Sequence, residues 1–217
     1  MLKVKKFTFN PFQENTYLIW DVNSSEALVI DPGCSNKLEE NEIENFVKSN
    51  NLNVKYLVNT HCHIDHILGN AFIKSNYNCE FYAPHLDIPL LEMLPQQASM
   101  FGLSAPKSPL PQKYISEDLI LSIGEIKFKF LFTPGHSPGE FCVYFQDNKI
   151  CFSGDVLFKE SIGRTDLWGG NYQTLIKSIS EKLLIMPNEV RLLPGHGEET
   201  TIGYEKLNNQ FINSINH

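Results

Sequence analysis

No two of the five cysteines, Cys34, Cys62, Cys79, Cys142 and Cys151, form a C-x-x-C pair. That excludes a thiolate zinc ribbon, and an odd number of cysteines is not that of a disulfide framework. They read as reduced thiols of a cytoplasmic protein. Positive charge is also short: 18 Lys and Arg against 25 Asp and Glu leave a formal charge of −7. A protein that grips nucleic acid through its general field carries the opposite balance, so a small molecule is the expected partner. No segment approaches the length of a membrane span. The basic start, Met1 to Lys6, has no apolar stretch behind it, so no secretory signal is expected. No repeat of solenoid length is present, and a single domain over residues 1–217 with a large core is expected.

What is there begins as strands. Val4–Phe9, Thr16–Asp21 and Ala27–Ile30 are rich in β-branched and aromatic residues and are broken by Asn10-Pro11 and Asn23-Ser24-Ser25. Asp31-Pro32-Gly33 stops the third. A helix is predicted next, with Asn36 as N-cap, Glu39 in the capping-box position, and Leu38, Ile43, Phe46 and Val47 as its apolar stripe. Val54–Asn59 reads as a strand, Ile67–Lys74 as a helix, Cys79–Ala83 as a strand, and Ile88–Phe101 as a helix interrupted near Pro95. The proline-rich stretch Leu103–Pro111 cannot hold a regular helix. A second strand set follows at Leu119–Ile123, Ile126–Phe132, Phe141–Phe145 and Lys149–Ser153. Leu175, Ile176, Ile179, Leu183 and Leu184 recur at helical spacing, Val190–Leu193 is a strand, and Tyr204–Ile215 reads as a closing helix. Two strand groups, each with its own helices, imply two sheets packed face to face with helices outside. The alternating Phe7, Phe9, Phe128, Phe130 and Phe132 are assigned to core.

The chemistry concentrates directly after the strand ending at Asn59. In Thr60-His61-Cys62-His63-Ile64-Asp65-His66, three imidazoles and a carboxylate crowd one turn and mark a metal site. In extended chain His61, His63 and Asp65 share one face and His66 points away, so convergence of all four requires the segment to curve. The same alternation turns Cys62 aside, giving it a structural role. Imidazole plus carboxylate suits hydrolytic divalent metals rather than an iron–sulfur cluster. Single candidates then recur at strand ends, each behind a glycine: His136 in Gly135-His136, Asp155 in Gly154-Asp155 and His196 in Gly195-His196. His85, Asp87 and His217 have no such setting and read as surface residues, and Cys34 shows no sign of activation.

H-x-H-x-D-H followed by G-H, G-D and G-H in this order resembles the metallo-β-lactamase fold hydrolases. Asn15-Thr16-Tyr17-Leu18, Asp31-Pro32-Gly33 and Ser161-Ile162-Gly163-Arg164-Thr165-Asp166 look like the glyoxalase II branch, especially its short bacterial type. The resemblance implies an α+β chain folded as a four-layer αββα sandwich with its site at one edge of the sheets. It implies two divalent metal ions, zinc first, with iron or manganese accepting the same ligands. His61, His63 and His136 would hold one ion, Asp65, His66 and His196 the other, with Asp155 bridging and Asp65 also orienting the attacking water. The implied reaction is hydrolysis of a small thioester such as a hydroxyacylglutathione. Persulfide dioxygenases with one iron share the fold and a similar Gly-Arg-Thr-Asp segment, and a non-catalytic metal-binding protein is the reading of a different class. Arg164, with Asp166, is either a plain loop salt bridge or part of the substrate-binding wall. The segment after His196 carries one lysine, Lys206, and no arginine, which leaves the thiol half of the substrate open.

Overall fold

This computed structural model describes residues 1–213; His217 and the end of the helix expected to run to Ile215 lie outside them. Contacts divide the chain into two compact units: Met1–Tyr114 with Ser122–Ile126, and Ile115–Leu121 with the residues from Lys127 on.

The first unit holds a six-stranded sheet in the order β1-β2-β3-β4-β5-β6: β1 Leu2–Phe9, β2 Glu14–Asp21, β3 Glu26–Ile30, β4 Asn53–Val58, β5 Glu80–Ala83 and β6 Lys113–Tyr114. The first three pair antiparallel, and β3, β4, β5 and β6 are parallel. Parallel strands need a crossover between them. α1 Lys37–Ser49 supplies it from β3 to β4; α2 Ile64–Ile67 and α3 Asn70–Asn76 supply it from β4 to β5; α4 Ile88–Glu92 and α5 Leu94–Met100 lie between β5 and β6. The apolar faces of α1 and α3, with Ile43, Val47 and Ile73, form one core cluster with Leu18, Val29, Leu57 and Phe81 of the sheet.

Two expectations here need correction. Leu38 is 78% exposed and is no part of the α1 stripe; as the second residue of the helix it lies ahead of the face that Ile43 and Val47 bury. The helix expected over Ile67–Lys74 is two pieces that start three residues earlier. The Gly69 N–H is taken by the Pro32 carbonyl at 2.7 Å, and a side chain there would meet Cys34 Sγ at 2.4 Å, so the chain turns instead of continuing. The break near Pro95 is real, with a 3-10 turn at His85–Asp87 ahead of α4 and the proline in the first turn of α5.

The second six-stranded sheet runs β14-β13-β10-β9-β8-β7: β7 Ile120–Ile123, β8 Ile126–Phe132, β9 Phe141–Phe145, β10 Ile150–Gly154, β13 Arg191–Pro194 and β14 Thr200–Thr201. A two-stranded hairpin, β11 Leu157–Phe158 with β12 Ser161–Ile162, stands apart from it. α6 Tyr172–Ser178 runs into a π-helical turn at Ile179–Leu183, and the closing helix is broken into α7 Ile202–Asn208 and α8 Gln210–Asn213. Leu175, Ile179, Leu183 and Ile202 bury against Cys142, Cys151 and Leu192 of the sheet. β9 and β10 are buried at every position, as the apolar runs Phe141–Phe145 and Ile150-Cys151-Phe152 require. Phe7, Phe9, Phe128 and Phe130 are core, while Phe132 is only half-buried. No helix among the described residues is long and apolar enough to cross a membrane.

Candidate metal centre

In the first unit the ligand loop leaves the C-terminal end of β4, and the curve that four convergent side chains require is supplied by α2. His63 is the cap of this single turn, in extended conformation, while Asp65 and His66 sit within it. His61, His63, Asp65 and His66 are all buried. The rings of His61 and His66 lie 4.1 Å apart at their centroids, those of His61 and His63 4.9 Å, and His66 Nε2 is 3.7 Å from Asp65 Oδ2.

Asp31 organises this cluster. Because β3 and β4 are parallel, with Ile30 opposite Val58, their C-terminal ends open side by side. Asp31 therefore meets Thr60 although 29 residues separate them in sequence. Its Oδ1 accepts the Thr60 N–H at 2.7 Å; its Oδ2 accepts the Thr60 hydroxyl at 2.6 Å and the His66 Nδ1–H at 3.1 Å. The single Thr60 hydroxyl proton is thereby spent. Its contact with His61 Nδ1 at 3.1 Å is one in which the imidazole donates. Both rings carry their proton on Nδ1, which assigns the ligating lone pair to Nε2, the outer-shell arrangement that metal-binding histidines use. One ligand atom each from Asp31, His61 and His66 falls within 4.8 Å of the others.

More distant residues hold the loop. Asn10 Nδ2 donates to the Gly33 and Asp65 carbonyls, each at 3.0 Å, and Asn59 Nδ2 to the His66 carbonyl at 3.2 Å. Asp87, expected at the surface, is 0% exposed, and its Oδ2 accepts the Cys62 N–H at 3.1 Å, a bond of the kind a buried carboxylate requires. Cys62 itself is buried in the apolar cluster, and burial pushes its thiol well above the usual range, as the structural reading requires.

In the second unit β8, β10 and β13 point the same way, because β9 is antiparallel to β8 and β10 and β13 is parallel to β10. Their C-terminal ends share one edge, which is why His136, Asp155 and His196 assemble from three separate loops. Asp155 Oδ2 lies 3.5 Å from His136 Nε2 and 3.6 Å from His196 Nε2. The Arg164 carbonyl accepts from His136 Nδ1 at 2.8 Å; a carbonyl has no proton to give, so Nε2 again bears the lone pair. Asp155 is held from behind, its N–H donating to Glu140 Oε1 at 2.8 Å. Gly135 and Gly154 have φ of +137° and +49°, conformations that glycine adopts freely. The Arg164 guanidinium is exposed and forms a two-pronged pair with Asp166, both bonds 2.7 Å, which lowers the Asp166 carboxyl to about 2.

Asp31, Thr60, Asp87 and Glu140 were not singled out from sequence as parts of a site. A polar residue directly after an apolar strand, as at Asp31 and Thr60, was the available signal; Asp87 and Glu140 carry none, since burial alone distinguishes them from surface acids.

The donor set, three imidazoles and a carboxylate in one unit and two imidazoles and a carboxylate in the other, fits divalent metal ions. Such donors at strand ends of a two-sheet chain define a metal-binding hydrolase of the metallo-β-lactamase type. Residues 9–196 match the model of the Metallo-beta-lactamase superfamily, and the chain belongs to that superfamily. It is 39% identical over 205 residues, 94% of each chain, to the protein named hydroxyacylglutathione hydrolase GloC of Haemophilus influenzae. Among solved structures it is similar to the BLEG-1 B3 metallo-beta-lactamase, with a TM-score of 0.87 at 32% identity covering 97% of this chain and 99% of that one. It is also similar to TTHA1623 in a di-iron-bound form, with a TM-score of 0.85 at 35% identity covering 95% and 99%.

Proposed function

We propose that this chain hydrolyses a small thioester, such as a hydroxyacyl derivative of glutathione or of a similar thiol, with two divalent metal ions. The observation that carries this reading is one carboxylate oxygen of Asp155 set at 3.5 and 3.6 Å from two imidazole Nε2 atoms that come from different loops, a convergence of donors that would suit a metal ion. In this proposal His61, His63 and His136 would hold one ion and Asp65, His66 and His196 the other. The 39% identity with a protein named hydroxyacylglutathione hydrolase supports the substrate class, and the di-iron form of a 35% identical neighbour supports the pair of ions. We take zinc as the resident metal, with iron and manganese as the ions the same ligands accept.

When bound, such a pair of ions makes a nucleophilic water available at neutral pH and polarises a carbonyl oxygen. The chain's own residues do the rest. Asp65 would orient the attacking water and accept its proton. Asp31, Thr60 and the Arg164 carbonyl keep the imidazoles in one tautomer and one orientation. No strong acid is needed for departure, because a thiol ionises near 8.5 in water. Arg164 contributes to the substrate side. We place the enzyme in the cytoplasm, acting on a dissolved small molecule.

Elemental analysis of the purified protein is expected to find about two metal ions per chain, the number a bridged site requires. It should be run beside a panel of glutathione and coenzyme thioesters. Asp155→Asn is expected to lower turnover at least about 100-fold, since changes behind the ligands already cost about 10–100-fold and this one alters a proposed ligand itself. Arg164→Ala should leave metal content intact and lower kcat/KM. One iron per chain with oxygen uptake on a persulfide, or full turnover in Asp155→Asn, would sink this reading.

A further inference from the structure

The β11–β12 hairpin reaches every candidate ligand of the second unit. It leaves directly after Asp155. At its far end a side chain on Gly163 would lie 1.9 Å from the Asp155 carbonyl oxygen and 3.1 Å from His136 Cβ, and the next residue, Arg164, offers the carbonyl that accepts from His136 Nδ1. On its first strand the Phe158 ring stands 6.2 Å from that of His196. In its turn Lys159 Nζ pairs with Glu198 at 2.6 Å, in the loop that carries His196. Yet the hairpin is only two residue pairs long and belongs to neither large sheet, and a two-stranded ribbon of this size does not hold itself in place.

Its strands are held by the core, where Leu157 and Ile162 are buried and the Ser153 hydroxyl donates to the Leu157 carbonyl at 2.9 Å; its turn is held by the chain that follows the last candidate ligand. Glu205 on α7 is completely buried. Its Oε2 accepts the Glu160 N–H at 2.9 Å and the Asn209 side-chain amide at 2.8 Å, and its Oε1 accepts the Thr200 hydroxyl at 2.5 Å. The Asn209 amide donates to the Ser161 carbonyl as well, at 3.1 Å. One carboxylate and one amide thus clamp two adjacent residues, Glu160 in the hairpin turn and Ser161 directly after it, where Glu160 is held at φ +58°. The Tyr204 hydroxyl adds a contact to the Glu160 carboxylate. The Glu160 N–H, the Asn209 amide and the Thr200 hydroxyl all donate to the Glu205 carboxylate.

We propose that Glu205 is a positioning residue for the metal centre: it touches no candidate ligand, and through the hairpin it sets the relative placement of Asp155, His136 and His196. This rests on the two-ion reading above. The variants for its test are Glu205→Ala, which strips three donors of their acceptor, and Glu205→Gln. In the latter the amide oxygen can still accept from Glu160 and Asn209 while the amide nitrogen donates to Thr200 Oγ1, so the conservative change serves as the rescue.

The experiment is a titration of the chelator-stripped full chain with Co²⁺, followed by its visible absorption, beside thermal unfolding of the stripped protein. Glu205→Ala is expected to bind Co²⁺ about tenfold or more weakly, the loss typical of outer-shell changes, with an altered absorption band, and Glu205→Gln is expected to recover most of both. A folded Glu205→Ala protein that only melts earlier, with wild-type Co²⁺ affinity and spectrum, would overturn the proposal. Should Glu205→Ala not fold, Asn209→Ala removes the second clamp alone: a weakened, shifted Co²⁺ signal supports the proposal and an unchanged one overturns it. Wild-type chain that takes up no Co²⁺ would instead remove the two-ion reading itself, and this inference with it.

Discussion

Glu14 shows how far a side chain's chemistry departs from its sequence. It opens β2 as an ordinary acid in an apolar strand, but it is fully buried, and burial raises its carboxyl well above the usual range; the charges of Asp31 and Asp65 push the same way and His66 opposes them. Its Oε2 accepts from the Thr16 hydroxyl at 2.8 Å, and that hydroxyl oxygen accepts the Gly33 N–H at 2.8 Å, so Glu14 braces the turn beside the ligand loop. A carboxyl raised on folding binds its proton more tightly in the folded state. The stability this confers is complete below the ordinary value of 4.5 and is lost as pH rises towards the folded value. Glu14→Gln keeps the shape and stays neutral throughout. In the metal-free protein its stability relative to wild type should therefore climb between pH 5 and pH 8, by up to about 1.4 kcal/mol for each unit of pH. Urea unfolding at the two values measures this, and an unchanged difference would mean that Glu14 ionises as it does in water.

At the scale of elements, α1 separates what local sequence dictates from what it does not. Asn36 caps it as predicted, its Oδ1 accepting from the Leu38 and Glu39 N–H groups at 3.0 and 3.1 Å. Glu39, expected to close the box on the cap residue, reaches past it, accepting from Ser35 N at 2.6 Å and from Asn10 N at 3.0 Å. Asn10 then donates to the Asp65 carbonyl, so the start of α1 is tied to the ligand loop by a link no local pattern encodes. Asn36→Ala is expected to cost about 1 kcal/mol, read as a lower urea midpoint at unchanged m, and Asn36→Asp should recover it, since aspartate caps equally well. The short hairpin β11–β12 and the strands β6 and β14 escaped the sequence reading because two-residue strands show no period. The seam at Gly69 has no local signal because the break is made by a tertiary partner, the Pro32 carbonyl; the seam at Asn209 carries a local cap, its Oδ1 accepting the Phe211 N–H at 3.1 Å, inside an otherwise periodic run.

For the whole molecule, the superfamily match over residues 9–196 runs through both compact units, and we propose that the two make one domain. The chain has two tryptophans, Trp20 in one unit and Trp168 in the other. Trp20→Phe and Trp168→Phe variants each leave a single reporter. A single domain unfolds in one cooperative step, so the two reporters should give coincident urea midpoints, and saturating Zn²⁺ should raise both together. Midpoints separated beyond experimental error would show two domains that unfold independently.

Residue order alone determined the strand runs and the cap at Asn36 and supplied the candidate roster His61, His63, Asp65, His66, His136, Asp155 and His196, because periodicity, capping chemistry and clustered donors are local properties of a chain. Tertiary structure decided everything that depends on parallel pairing. Strands brought side by side with their C-terminal ends at one edge deliver Asp31 to Thr60 and His66, and Asp155 to His136 and His196. It also decided which acids stand behind those ligands. Asp87, Glu140 and Glu205 look alike in sequence to any surface carboxylate, and only burial among N–H donors, where an unpaired charge is costly, gives each of them its task.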